Sequence, residues 1–160
     1  MSALLGPGDA FPFLHVTLPD RTLQVPGDLA GSYAAVLFYR GSWCPYCNAQ
    51  LAAFQRALPQ LTEAGIAVVA LSVDDAPTTA ALVAKRHLTF PVGSGADARA
   101  IAAATGAFVN EEPLHLQSTG FVLDPDGRVV VSVYSSGAIG RLAPEDVLGL
   151  VRYDRSHAAA

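Results

Sequence analysis

Cysteine is scarce in this 160-residue chain: there are two, Cys44 and Cys47, and they sit together in Trp43-Cys44-Pro45-Tyr46-Cys47. With no third thiol, an internal disulfide can form only between these two. The four histidines, His15, His87, His115 and His157, are scattered, with no His-x3-5-His pair and no second Cys-x-x-Cys. Four-ligand zinc at ordinary spacing therefore finds no support. Charge is also sparse, at 15% of residues with a net of −4, and the basic residues are dispersed. That excludes nucleic acid as a partner, which would need a basic stripe or aromatic platforms. The longest apolar runs, residues 34–39 and 66–71, fall far short of the ~20 residues that cross a bilayer, so no membrane partner is expected. The first nine residues lack a basic stretch followed by an apolar core. No signal peptide is therefore read, and the reducing cytoplasm is the expected compartment, where a paired thiol serves catalysis better than a permanent disulfide.

Apolar residues are plentiful, at 51%, many of them alanine. A chain of this size can bury roughly 70% of its unfolded surface in one core. One domain over 1–160 is expected, with 154–160 as a frayed tail. Ala34-Ala35-Val36-Leu37-Phe38-Tyr39 reads as a buried strand, Arg40-Gly41-Ser42 as a turn, and residues 48–58 as a helix. The cysteines thus fall at a strand-to-helix junction, in the first helical turn. Free backbone N–H groups and the positive end of the helix dipole stabilise a thiolate there.

The rest alternates strand and helix. Residues 15–18 and 22–25 form a candidate hairpin, and 66–73 is an unbroken apolar run suited to a parallel sheet covered on both faces. Asp74-Asp75-Ala76-Pro77 opens a helix through about Arg86, Phe90-Pro91-Val92 is a short strand, and Asp97 caps a helix closed by Gly106. Pro125-Asp126-Gly127 joins two strands, and a helix over 144–153 ends the domain. Such an order implies an α/β fold with a parallel centre and antiparallel strands added late.

These residues resemble a family. Gly8-Asp9-Ala10-Phe11-Pro12-Phe13, the strand ahead of the Cys motif, Leu71-Ser72-Val73-Asp74 and residues 120–127 resemble, in order, the landmarks of the peroxiredoxin-like group within the alkyl hydroperoxide reductase/thiol-specific antioxidant superfamily. The resemblance implies a thioredoxin-like fold, a central mixed β-sheet flanked by helices with an N-terminal β-hairpin extension. It also implies a thiol-dependent antioxidant oxidoreductase that reduces peroxides or disulfides without a cofactor. Thioredoxin or glutathione would be the reductant, and a homodimer is possible. The family's Pro-x-x-x-Thr-x-x-Cys pattern puts its peroxidatic position on Cys47, with Cys44 at the Thr position and Arg40 at the Pro position. A thioredoxin-like reading, with Trp before the first cysteine, makes Cys44 the nucleophile instead. The arginine that the family supplies from a later strand should fall near Ser118-Thr119, where there is none, so the peroxide-binding set is expected to be incomplete.

Within a dithiol cycle, a thiolate attacks peroxide or disulfide and its partner resolves the product into a Cys44–Cys47 disulfide. Pro45 suits the first helical turn, where its missing N–H costs nothing. Cys-Pro-Tyr-Cys also resembles the glutaredoxin site, consistent with glutathione. Arg40 is a candidate cation beside the thiolate, against the plainer reading of a solvated turn residue. Trp43 is expected to pack beneath the motif rather than serve as a contact surface. Tyr46 is a candidate for shaping access, and Thr119 a candidate pocket-lining residue, against that of an ordinary strand position. Two competing functions are a partner-binding module that has lost efficient catalysis and a copper carrier. Copper-carrying relatives space their cysteines one residue wider.

Overall fold

The computed structural model describes residues 4–158. Its centre is β3 (Tyr33–Phe38), buried at all six positions because both faces of the strand are covered. It pairs in parallel with β4 (Ile66–Leu71), which pairs in parallel with β5 (Val92–Gly93). On its other side β3 runs antiparallel to β8 (Thr119–Leu123), which runs antiparallel to β9 (Val129–Tyr134). The sheet order is β5-β4-β3-β8-β9, the mixed sheet the resemblance implied.

Strand pleating divides the core in two. Tyr33, Ala35 and Leu37 point to one face, with Leu51 and Phe54 of α1 (Pro45–Glu63), Leu82 of α2 (Ala76–Arg86) and Val147 and Val151 of α4 (Pro144–Ala158). Ala34, Val36 and Phe38 point to the other, with α3 (Ala98–Thr105) and the hairpin of β1 (Leu14–Thr17) and β2 (Thr22–Val25). Phe121 centres that second cluster, edge-on to Phe11 and Phe38.

Local signals set the boundaries. The Asp75 and Asp97 side chains accept from the N–H groups of Thr78 and Ala100, capping α2 and α3. Gly106 takes a left-handed conformation (φ 87°) that a larger residue adopts only with strain. Two differences from expectation stand out. A small hairpin, β6 (Val109–Glu111) and β7 (Leu114–Leu116), lies where no element was read. α4 runs to Ala158 instead of ending at Tyr153, so 154–158 is helix and not a frayed tail. Tertiary contacts hold it: the Tyr33 hydroxyl donates to Asp154 at 2.6 Å, and the Arg155 guanidinium lies 4.9 Å over the Tyr33 ring. Residues 159–160 lie outside the described part. Among the described residues no helix is long and apolar enough to cross a membrane.

Candidate active site

β3 ends at the sheet edge, and the turn after it delivers the cysteines to the start of α1. Cys44 is the N-cap, its extended backbone (φ −86°, ψ 115°) letting Sγ accept the Cys47 N–H at 3.3 Å. Pro45 occupies the first helical position, as its ring geometry favours. Asp74, expected only as part of a helix start, instead accepts the Ser42 N–H at 2.8 Å, tying the turn to the end of β4. The Ser42 carbonyl accepts from Asn48 Nδ2 at 3.0 Å.

Two arginines reach the sulfurs. Arg40 places Nη1 3.8 Å from Cys44 Sγ, while its backbone N–H donates to Cys47 Sγ at 3.3 Å and its Nε to Gln117 Oε1 at 2.9 Å. Arg141, in the loop between β9 and α4, places Nη2 3.1 Å from Cys47 Sγ and 3.6 Å from Cys44 Sγ. Gln50 of α1 accepts from Arg141 Nη1 at 3.0 Å and donates to the Leu142 carbonyl at 2.9 Å; the Ala138 carbonyl accepts from Arg141 Nε. The Ser135 hydroxyl folds that loop inward by bonding the Ile139 and Gly137 carbonyls.

The arginine expected near Ser118-Thr119 is absent, but a second cation, Arg141, does reach the sulfurs, from a different segment. Thr119 is buried in β8 with its hydroxyl committed to the Gln117 carbonyl; Gln117 is the residue of that stretch that reaches the site. Trp43 does not pack beneath the motif. It is 55% exposed, with Arg40 over its ring at 4.9 Å and the His115 ring against it edge-on. Tyr46 stands beside the pair, also more than half exposed.

The two thiols are buried, free and unlike. Burial alone would raise Cys44. Hydrogen bonds from the Cys47 thiol and N–H, the Arg40 guanidinium and the Arg141 charge outweigh it, so its pKa lies below the ordinary thiol value. Burial pushes Cys47 up, and so does its role as donor to Cys44; the Arg40 N–H and Arg141 offset this only in part. Of the two, Cys44 is therefore the thiol that gives up its proton more readily.

As for metal ligands, no group of three or more His, Cys, Asp or Glu side chains converges among the described residues. His87 caps α2 in a left-handed conformation, and His115 sets its ring edge-on to Trp43.

The AhpC/TSA family model matches residues 7–132. The chain belongs to the AhpC/TSA family. Membership bears out the resemblance and carries with it thiol-dependent peroxidase chemistry. A protein of Mycobacterium tuberculosis is 33% identical over 146 residues, aligning 87% of this chain and 91% of that one. A peroxiredoxin of Treponema denticola is 29% identical over 146 residues, 88% of this chain and 69% of the relative. In structure the AhpC/TSA chain is similar to the M. tuberculosis peroxidoxin BcpB, with a TM-score of 0.79 at 19% identity, covering 93% of this chain and 97% of that one. At that identity the likeness speaks for the fold.

Proposed function

We propose that this AhpC/TSA protein reduces peroxides through a Cys44/Cys47 dithiol cycle in which Cys44 attacks and Cys47 resolves. What carries the reading is the setting of Cys44 Sγ, which faces the Cys47 N–H at 3.3 Å, Arg141 at 3.6 Å and Arg40 at 3.8 Å. That arrangement favours the Cys44 thiolate and presents cations to the charge that develops on the departing oxygen. The Cys44 thiolate attacks one peroxide oxygen, breaking the O–O bond, and the other oxygen leaves as alkoxide or hydroxide. The Cys47 thiol supplies its proton. The Cys47 sulfur, now a thiolate, then displaces hydroxide from the Cys44 sulfenic acid to give the disulfide, and the hydroxide takes a proton from solvent to leave as water. An external dithiol, or two monothiols, returns both cysteines to the reduced state.

Thioredoxin or glutathione is the proposed reductant, which places the protein in a reducing compartment such as the cytoplasm; a homodimer is the proposed assembly. Arg40 acts as cation, Pro45 stiffens the helix start, and Tyr46 and Trp43 border the approach. One observation favours a second reading. Trp43 and Tyr46 expose apolar rings beside the motif, a surface that suits a protein disulfide. The buried sulfurs favour the smaller peroxide. Peroxide turnover with each reductant, run beside reduction of a model disulfide, separates the two: peroxidase activity without disulfide reduction is expected, and the reverse would overturn the first reading.

A further inference from the structure

His115 is a buried titratable group that the dithiol cycle leaves unused. It lies on β7, 5% exposed, with Nε2 buried and lacking a hydrogen-bond partner. An apolar side chain would fill such a place without stranding a polar atom. Its ring meets the Trp43 indole edge-on, 5.1 Å between centroids at 69°. The indole is pinned against the turn: a Cβ on Gly41 would fall 2.2 Å from Trp43 Nε1. Trp43 supports the Arg40 guanidinium at 4.9 Å, and Arg40 reaches Cys44 Sγ at 3.8 Å. Gln117, two residues beyond His115 on the same extended stretch, fixes Arg40 Nε at 2.9 Å. Imidazole, indole, guanidinium and thiolate form one continuous series.

We propose that His115 is a positioning residue for Arg40: acting through Trp43, its neutral ring keeps the guanidinium against Cys44, and its charged ring releases it. The proposal rests on the assignment of Cys44 as the thiolate. The charged groups facing His115 are Arg40 from the turn after β3 and Asp74 from the end of β4. Of the other elements packed on β7, α3 offers Arg99 and β6 offers Glu111, which pair with each other at the surface, and Glu112 in the hairpin turn is exposed. Burial first, then Arg40, lower the His115 pKa, against the Pro113 carbonyl and Asp74. The ring is therefore neutral at neutral pH. Charging it sets two cations against one indole, and the half-buried Arg40 is the one able to swing into water.

The test is the rate of Cys44 alkylation by iodoacetamide across about pH 4 to 8, with the modified residue identified by mass spectrometry. Below the Cys44 pKa, protonation of the thiolate alone slows the reaction by at most about tenfold per pH unit. In the wild type the fall should steepen beyond about tenfold per unit in the acid range, as a second proton binds at His115. His115→Phe, which keeps a ring but cannot titrate, should nowhere exceed the tenfold slope. Trp43 is the chain's single tryptophan, so wild-type fluorescence reports the same event without any variant: imidazolium quenching should appear with the same inflection. A single slope with flat fluorescence in the wild type overturns the proposal, as does equal steepening in His115→Phe. A fluorescence inflection with Cys44 unreactive instead overturns the thiolate assignment, and the proposal with it.

Discussion

Arg141 Nη2 and Cys47 Sγ, 94 residues apart in the chain, meet at 3.1 Å, and the same nitrogen stands 3.6 Å from Cys44 Sγ. One guanidinium thus faces both members of the dithiol. Its charge lowers both thiol pKa values, against burial. Arg141→Met, which keeps the length and removes the charge, should raise both and slow alkylation at neutral pH about tenfold. Arg141→Lys should recover part of the loss. Thiolate absorbance followed against pH checks both variants.

That arginine was not legible in the sequence, and the reason is physical. The family resemblance points to a cation near Ser118-Thr119, at the start of β8, and the chain has none there. The loop that supplies it is held by Ser135 bonding to its own carbonyls and by Gln50 reaching from α1. None of these contacts leaves a periodic or spacing signal. The β6–β7 hairpin escaped for a related reason: its strands are three residues long and too short to show alternation. The position of Trp43 depends on His115, far along the chain, as well as on Arg40 and Gly41 beside it, so propensity could not place it. By contrast, β3, β4, the Cys-bearing helix and the caps at Asp75 and Asp97 were legible, because a buried apolar run and a cap are local features.

Tyr39 follows β3 and is fully buried; burial chiefly, with the nearby Asp74 and Cys47 charges, pushes its phenol up to about 12. In the unfolded chain it ionises near pH 10. Its contribution is therefore complete below about pH 10 and is lost as pH rises toward 12, because the unfolded state gives up the proton first. That loss amounts to about 2–3 kcal/mol. Urea unfolding at stepped alkaline pH should show it, and Tyr39→Phe should flatten that part of the profile.

Asp74 fixes the turn that carries Arg40 to the sulfurs, through the Ser42 N–H at 2.8 Å. Asp74→Ala should leave that N–H unpaired and cost about 1–2 kcal/mol. Alkylation of Cys44 should slow several-fold with it, since Arg40 loses its placement. Unchanged alkylation alongside reduced stability would show that the turn holds Arg40 without Asp74.

Gly41→Ala would put a Cβ 2.2 Å from Trp43 Nε1. Because the indole is half exposed, it should swing outward rather than unfold the turn, at a stability change of below about 1 kcal/mol. Tryptophan fluorescence should shift and lose its dependence on acidic pH.

The order of attack is tested most directly by trapping the sulfenic acid. Cys44→Ser and Cys47→Ser are each exposed to one equivalent of hydrogen peroxide in the presence of a sulfenic-acid probe, and the labelled residue is located by mass spectrometry. With the Cys44 pKa lowered and that of Cys47 raised, Cys47→Ser should be labelled at Cys44, and Cys44→Ser should neither consume peroxide nor take the label. Rapid labelling of Cys47 in Cys44→Ser, with Cys44 unlabelled in the other variant, would contradict the account and place the attack on the second cysteine.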